Sequence, residues 1–181
     1  DVVTRIRDGL PLPERCAVLT VDDAYRTFLT GAMPLLRRYG YPVTLFVSTN
    51  SVGHHGYLTW EELRALAAEG VEIGNHTASH VYLLNRRSGE SEEEWPRRAR
   101  QEIVMAQGRL ERELGVAPQF FAYPFGEFDP KLQALVRELG FLGAHELAPG
   151  RRVEEQVTHF HRGATGMGRR FHPHLHVAAL T

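Results

Sequence analysis

Cysteine is almost missing from this chain. The single residue, Cys16, excludes an intramolecular disulfide and any cysteine-based zinc cluster, and it leaves the redox compartment open. Cys16 therefore reads as a core residue. An excess of either charge is missing too. The 21 basic and 22 acidic residues give a formal net charge of -1 with neutral histidine, which removes any electrostatic ground for expecting DNA, RNA or an anionic membrane as partner. No apolar stretch approaches the roughly 18 residues of a membrane span. Internal repeats and low-complexity linkers are also lacking. The opening Asp1-Val2-Val3-Thr4-Arg5 has the pattern of neither a signal peptide nor an initiator, so the chain reads as a trimmed or mature fragment. With 181 residues and 43% hydrophobic content, one sizeable core is expected, and hence one domain over residues 1–181.

What is present is an alternation of strand-like and helix-like segments. Residues 17–21 and 43–47 are short apolar runs suited to buried strands. Between them Phe28, Ala32, Leu35, Leu36 and Tyr39 keep helical spacing, with Pro34 expected to kink the helix and Gly40 to end it. Thr59-Trp60-Glu61-Glu62 is a capping box opening a helix through Ala68, and a strand resumes over residues 71–74. Ser91-Glu92-Glu93-Glu94 is a second capping box. Trp95, Ala99, Ile103, Ala106, Leu110 and Leu114 then make a long amphipathic helix whose charges read as a solvated face. Residues 120–123 read as a strand, Asp129-Pro130 starts a helix to Leu139, and another strand is expected from Gly140. Residues 86–90 and 149–155 read as exposed loops. Such alternation favours a parallel α/β architecture.

Two segments carry most of the chemistry. Leu19-Thr20-Val21-Asp22-Asp23 is an apolar run ending in paired carboxylates, and Asn75-His76-Thr77-Ala78-Ser79-His80 holds two histidines four apart. That spacing suits one side of a helical turn. In a parallel sheet, groups that follow strands collect beyond the carboxyl ends, where Asp22, Asp23, His76 and residues 123–125 are all expected. A divalent ion that activates water needs a few fixed ligands and an open position, which Asp23, His76 and His80 would supply. The set suits Zn, Co, Ni or Fe, with zinc the default.

These residues resemble the polysaccharide deacetylases, the NodB-homology carbohydrate esterases. Thr20-Val21-Asp22-Asp23-Ala24 is similar to the family's Thr-Phe-Asp-Asp-Gly, and His76-Thr77-Ala78-Ser79-His80 to its His-Ser/Thr-x-x-His. Ala122-Tyr123-Pro124-Phe125-Gly126 resembles the third motif in the form found among deacetylases of poly-β-1,6-N-acetylglucosamine. The resemblance covers roughly residues 15–145 and implies a distorted, incomplete (β/α) barrel. It implies one divalent metal ion on Asp23, His76 and His80, water on that metal as nucleophile, and Asp22 as general base. It further implies the backbone N–H of Phe125 as oxyanion donor and Tyr123 and Pro124 at the substrate. The implied reaction is hydrolysis of N-acetyl groups on an acetylated bacterial polysaccharide or oligosaccharide, in the cell envelope, periplasm or outside the cell.

Several positions depart from that pattern. Ala122 stands where the family carries an arginine that orients the catalytic aspartate, and Val21 and Ala24 replace Phe and Gly. The methyl of Ala24 is expected to constrain the backbone beside the metal carboxylate and narrow the substrate groove. The motif Asp-x-x-Asp-Trp has no match, because Trp60 and Trp95 lie elsewhere. Residues 150–181 form an atypical C-terminal segment. It contains His159, His161, His172, His174 and His176, with His145 just before it, and no proton donor is assigned among them. His172-Pro173-His174-Leu175-His176 reads as a surface tail. The alternative function is therefore a weak or inactive glycan-binding scaffold of the same fold. His54, His55, Tyr25 and Tyr57 are further candidates for substrate contact. Oligomeric state is open.

Overall fold

The structure, a computed structural model, describes residues 5, 8, 10–11, 16–145, 157–158, 169–172 and 175–180. Five parallel strands form its centre: β1 (Cys16–Val21), β2 (Thr44–Val47), β3 (Glu72–Asn75), β4 (Phe120–Ala122) and β5 (Gly143–His145). They lie side by side in chain order, each paired in parallel with the next. Winding that always proceeds in one direction produces a curled half-barrel rather than a doubly wound sheet, as the (β/α) pattern implies. Both margins are extended antiparallel. The short β6 (Val157–Thr158) pairs with β5, and β8 (Leu175–Leu180) pairs with β1 and with β7 (Arg169–His172).

The helices follow from local chemistry. A π-helical turn (Phe28–Ala32) runs into α1 (Met33–Tyr39), and Gly40 closes it at φ 64°. The wide turn inserts extra rotation before Pro34, so Leu35 and Tyr39, expected on the buried side, are exposed while Met33 and Leu36 are buried. Helix α2 (Trp60–Ala68) opens on the expected box: Glu62 N–H donates to Thr59 Oγ1 (3.2 Å) and Thr59 N–H to Glu62 Oε2 (2.8 Å). Helix α3 (Glu94–Leu114) follows a turn closed by the reciprocal Ser91–Glu94 bonds. It buries Trp95, Ala99, Ile103, Ala106 and Leu110, the larger of which contribute about 1.5–3 kcal/mol each relative to exposure. Helix α4 (Pro130–Glu138) is capped by Asp129, whose carboxylate accepts from Leu132 N–H at 2.7 Å.

Two hydrophobic clusters result, one under α1 and α2 around β2 and one under α4 around β4, and α3 contributes to both. Three expectations are corrected. The strand after Gly140 begins only at Gly143, because Leu142 N–H bonds Gln119 O and Phe141 turns into the core. His172 and His176, read as parts of a surface tail, instead lie in β7 and β8: residues 175–180 form the strand between β1 and β7, since Leu175-His176-Val177-Ala178-Ala179-Leu180 can pair along all of residues 16–21. The charges of α3 are not all solvated: Arg98 and Glu90 form an ion pair of 2.6 Å with side chains only 12% and 7% exposed. The side chain of Cys16, residues 149–155, His159, His161 and His174, and the imidazoles of His145, His172 and His176 lie outside the described set.

Candidate metal centre

Parallel strands bring their carboxyl ends to one side, and there β1 delivers Asp22 and Asp23, β3 delivers His76, and β4 delivers residues 123–125. Asp23 Oδ1 lies 3.2 Å from His80 Nε2 and 3.6 Å from His76 Nε2, and one donor atom from each residue falls within 4.8 Å of the others. Donors about 2.0–2.2 Å from a tetrahedral ion stand roughly 3.3–3.6 Å apart, so the carboxylate–imidazole spacings suit a shared divalent cation. His76 Nδ1 lies 2.9 Å from the carbonyl of Ala122. A carbonyl only accepts, so Nδ1 carries the hydrogen and Nε2 presents its lone pair toward Asp23. These donors fit a borderline-soft ion such as zinc.

Asp22 occupies a different place from its neighbour. It is buried, its Oδ2 lies 4.0 Å from His76 Nε2, and its Oδ1 has no hydrogen-bond partner among the described residues. Burial, with the adjacent Asp23 charge adding to it, pushes the Asp22 carboxyl well above the usual range. A carboxylate that wants a proton and stands beside the ligand set is suited to accept one.

His76 and His80 do not share a helical turn. Thr77 and His80 take left-handed backbone at φ 68° and 51°, and this irregular loop, not a helix, turns both rings toward Asp23. The loop is held from three sides. Asn75, fully buried, accepts from Thr77 N–H at 2.9 Å and donates to Ile103 O and Gln107 Oε1. Glu102 of α3 accepts from Ser79 N–H at 2.9 Å, and Ser48 Oγ donates to His76 O at 2.8 Å. Thr77 Oγ1 accepts from His80 N–H. Among the described residues, the five non-glycine residues with positive φ are Asp23, Ala24, Thr77, His80 and Phe125, and all belong to this site.

The remaining candidates separate clearly. Ala24, at φ 56°, packs its methyl into the core rather than narrowing a groove. Tyr123 and Pro124, which the resemblance implies at the substrate, are buried; the Tyr123 ring meets Phe121 edge-on at 5.1 Å and Phe128 at 5.4 Å. Phe125 is 46% exposed and its ring sits edge-on to His80 at 4.5 Å. Tyr25 and Tyr57 stack on each other at 4.7 Å. Their hydroxyl–hydroxyl bond, with burial and Asp23 adding to it, pushes the Tyr25 phenol up to about 12. His54 and His55 are exposed. Asn75 and Glu102, which hold the histidine loop, were given no role from the sequence. A buried asparagine ending an apolar strand is a signal in principle, because such an amide needs partners. Glu102 gives none, being one acid among many on a charged helix.

Known proteins are similar in sequence and in fold. A poly-β-1,6-N-acetyl-D-glucosamine N-deacetylase of Escherichia coli is 26% identical over 170 residues, covering 75% of this chain and 25% of that protein. The BpsB deacetylase domain of Bordetella bronchiseptica superposes with a TM-score of 0.70 at 26% identity over 81% of this chain and 70% of that one. The Streptococcus pyogenes deacetylase PplD, solved with acetate, gives 0.73 at 20% identity over 82% and 63%, a likeness of fold. The chain spans between a quarter and about half the length of the curated relatives it matches. The model of the polysaccharide deacetylase family matches residues 9–144, from before β1 to the middle of β5 and so across every strand that feeds the metal centre, and the chain belongs to that family.

Proposed function

We propose that this chain is a metal-dependent N-deacetylase acting on a β-linked N-acetylhexosamine polymer of the bacterial cell envelope, periplasm or exterior. One observation carries the reading: three ligand atoms from Asp23, His76 and His80 meet within 4.8 Å, with the buried Asp22 beside them. Kinship to the Escherichia coli enzyme, named for poly-β-1,6-N-acetyl-D-glucosamine, supports the substrate class. Asp23, His76 and His80 would hold a divalent cation, zinc by default, which would supply Lewis acidity to the amide carbonyl and to the attacking water. Asp22, buried beside the ligand set, takes the proton from the attacking water. The N–H of Phe125, at the left-handed turn after β4, donates to the oxygen on which negative charge develops. As the carbonyl re-forms, the C–N bond breaks, the departing nitrogen takes up a proton equivalent to the one Asp22 received, and acetate and a free amine leave.

The test is to load the protein with Zn²⁺, Co²⁺ or Ni²⁺, add acetylated β-linked glucosamine oligomers, and measure free amines together with bound metal. Asp22→Asn is expected to retain its metal and lose activity by about 10²–10⁴-fold, the usual contribution of a general base. Equal amine release from parent and variant would overturn the assignment.

A further inference from the structure

Beside the metal ligands lies an aromatic surface to which no role has been given. Tyr82 and Phe125 are 43% and 46% exposed, yet their rings stack nearly parallel, with centroids 3.6 Å apart and planes 6° from each other. Phe125 in turn meets the His80 ring edge-on at 4.5 Å. The two rings come from separate loops, one after β3 and one after β4, so their stacking extends the rim of the metal centre outward without a break. Folding does not account for them. Phe125 holds a left-handed backbone at φ 60°, a conformation costly for a bulky side chain, and leaves nearly half of its apolar surface in water.

We infer that Tyr82 and Phe125 together form a sugar-binding subsite, receiving the apolar C–H face of a pyranose ring of the acetylated chain while its acetamido group reaches the metal. The inference rests on the proposed deacetylase reading. It adds Tyr82 as a residue that touches the substrate. The chemistry selects the ligand. A flat aromatic surface suits the C–H face of a sugar, a phenol offers a hydrogen bond to ring hydroxyls, and the patch is too small and too close to His80 to serve as a separate protein interface. Burial of Tyr123 leaves Phe125 and Tyr82 as the aromatic surface bordering His80 among the described residues.

The zinc-loaded protein, Tyr82→Leu and Tyr82→Phe are to be titrated by calorimetry with β-1,6- and β-1,4-linked N-acetylglucosamine tetramers, with melting temperature and zinc content recorded for each. Tyr82→Leu is expected to weaken tetramer binding by about tenfold, whereas Tyr82→Phe, which keeps the flat ring, stays within about threefold of the parent. KM is expected to move with affinity while kcat does not. Should Tyr82→Leu fail to fold, saturation-transfer NMR on the parent decides: aromatic irradiation is expected to reach the axial protons of one pyranose face and not the other. Unchanged affinity in folded Tyr82→Leu, or saturation spread over both faces, overturns the subsite. Amine release from the parent with binding insensitive to Tyr82 rejects the subsite alone. Tyr82-dependent binding without amine release from any variant rejects the deacetylase reading alone. No binding and no release rejects both.

Discussion

Asp22 and Asp23 are the same side chain one peptide bond apart, yet strand geometry gives them different work. Asp22 continues β1 into the buried interior, whereas Asp23 turns left-handed and swings its carboxylate to the two imidazoles. Adjacent carboxylates and the His-x-x-x-His spacing were legible because few other arrangements of those residues make sense at strand ends. The route was not legible, because a four-residue spacing fits a helical turn as well as a loop bent by positive φ at Thr77 and His80. Tyr82 was hidden for another reason: nothing in one sequence shows that two rings from loops some forty positions apart will stack. At this scale His76→Ala is decisive. It removes a ligand outright, so zinc affinity measured by calorimetry is expected to fall by more than the roughly 10–100-fold typical of losing an outer-shell partner. Undiminished zinc binding would place the ion elsewhere.

Among the elements, β3 is the most constrained. Gly74 lies where a Cβ would overlap the Phe46 ring on β2 and approach the Phe120 carbonyl on β4, so the three strands close up only around a glycine. Gly74→Ala is expected to destabilise the fold by about 1–3 kcal/mol, read from denaturant unfolding. Zinc affinity should suffer too, since His76 is two residues on. Helix boundaries were well read from caps, Thr59 and Asp129 above all, because capping is local chemistry. The π-helical turn before α1 was not, because it answers to packing around Phe28 and Met33 that no local residue announces.

The amino end of α3 supplies a pH test. The Arg98 guanidinium bonding to Glu90, joined by the Arg87 backbone N–H, holds the Glu90 carboxyl down at about 2, against 4.5 ordinarily. A depressed folded-state value contributes stability that is full above about 4.5 and is lost as the pH falls toward about 2. The gap in melting temperature between the parent and Glu90→Gln is therefore expected to be widest at neutral pH and to close near pH 2. A gap that widens on acidification would contradict it.

For the molecule as a whole, sequential parallel strands were legible from the alternation of apolar runs and helices, and the curled half-barrel follows from their order. The antiparallel margin was not. Residues 172–176 read as a surface tail until β1 is seen to need a partner along its outer edge, which residues 175–180 supply. The ligands lie on loops after β1 and β3, separated by β2 and by more than fifty positions in the chain, so an ion bound to all three prefers the folded state strongly. Zinc at about 100 times its dissociation constant is expected to add about 2.7 kcal/mol to stability, and a chelator to remove it. A melting temperature indifferent to zinc and chelator alike would show that the ion does not bridge the strands.

The five left-handed residues Asp23, Ala24, Thr77, His80 and Phe125 have one more implication. Each holds a conformation costing on the order of 1–3 kcal/mol, and all are kept in it by neighbours whose packing is fixed at folding. The cup is thus cocked in advance. Cation and amide would arrive at groups already aimed, and glycine at Ala24 or Thr77, which are not ligands, would relax the backbone while letting that aim wander.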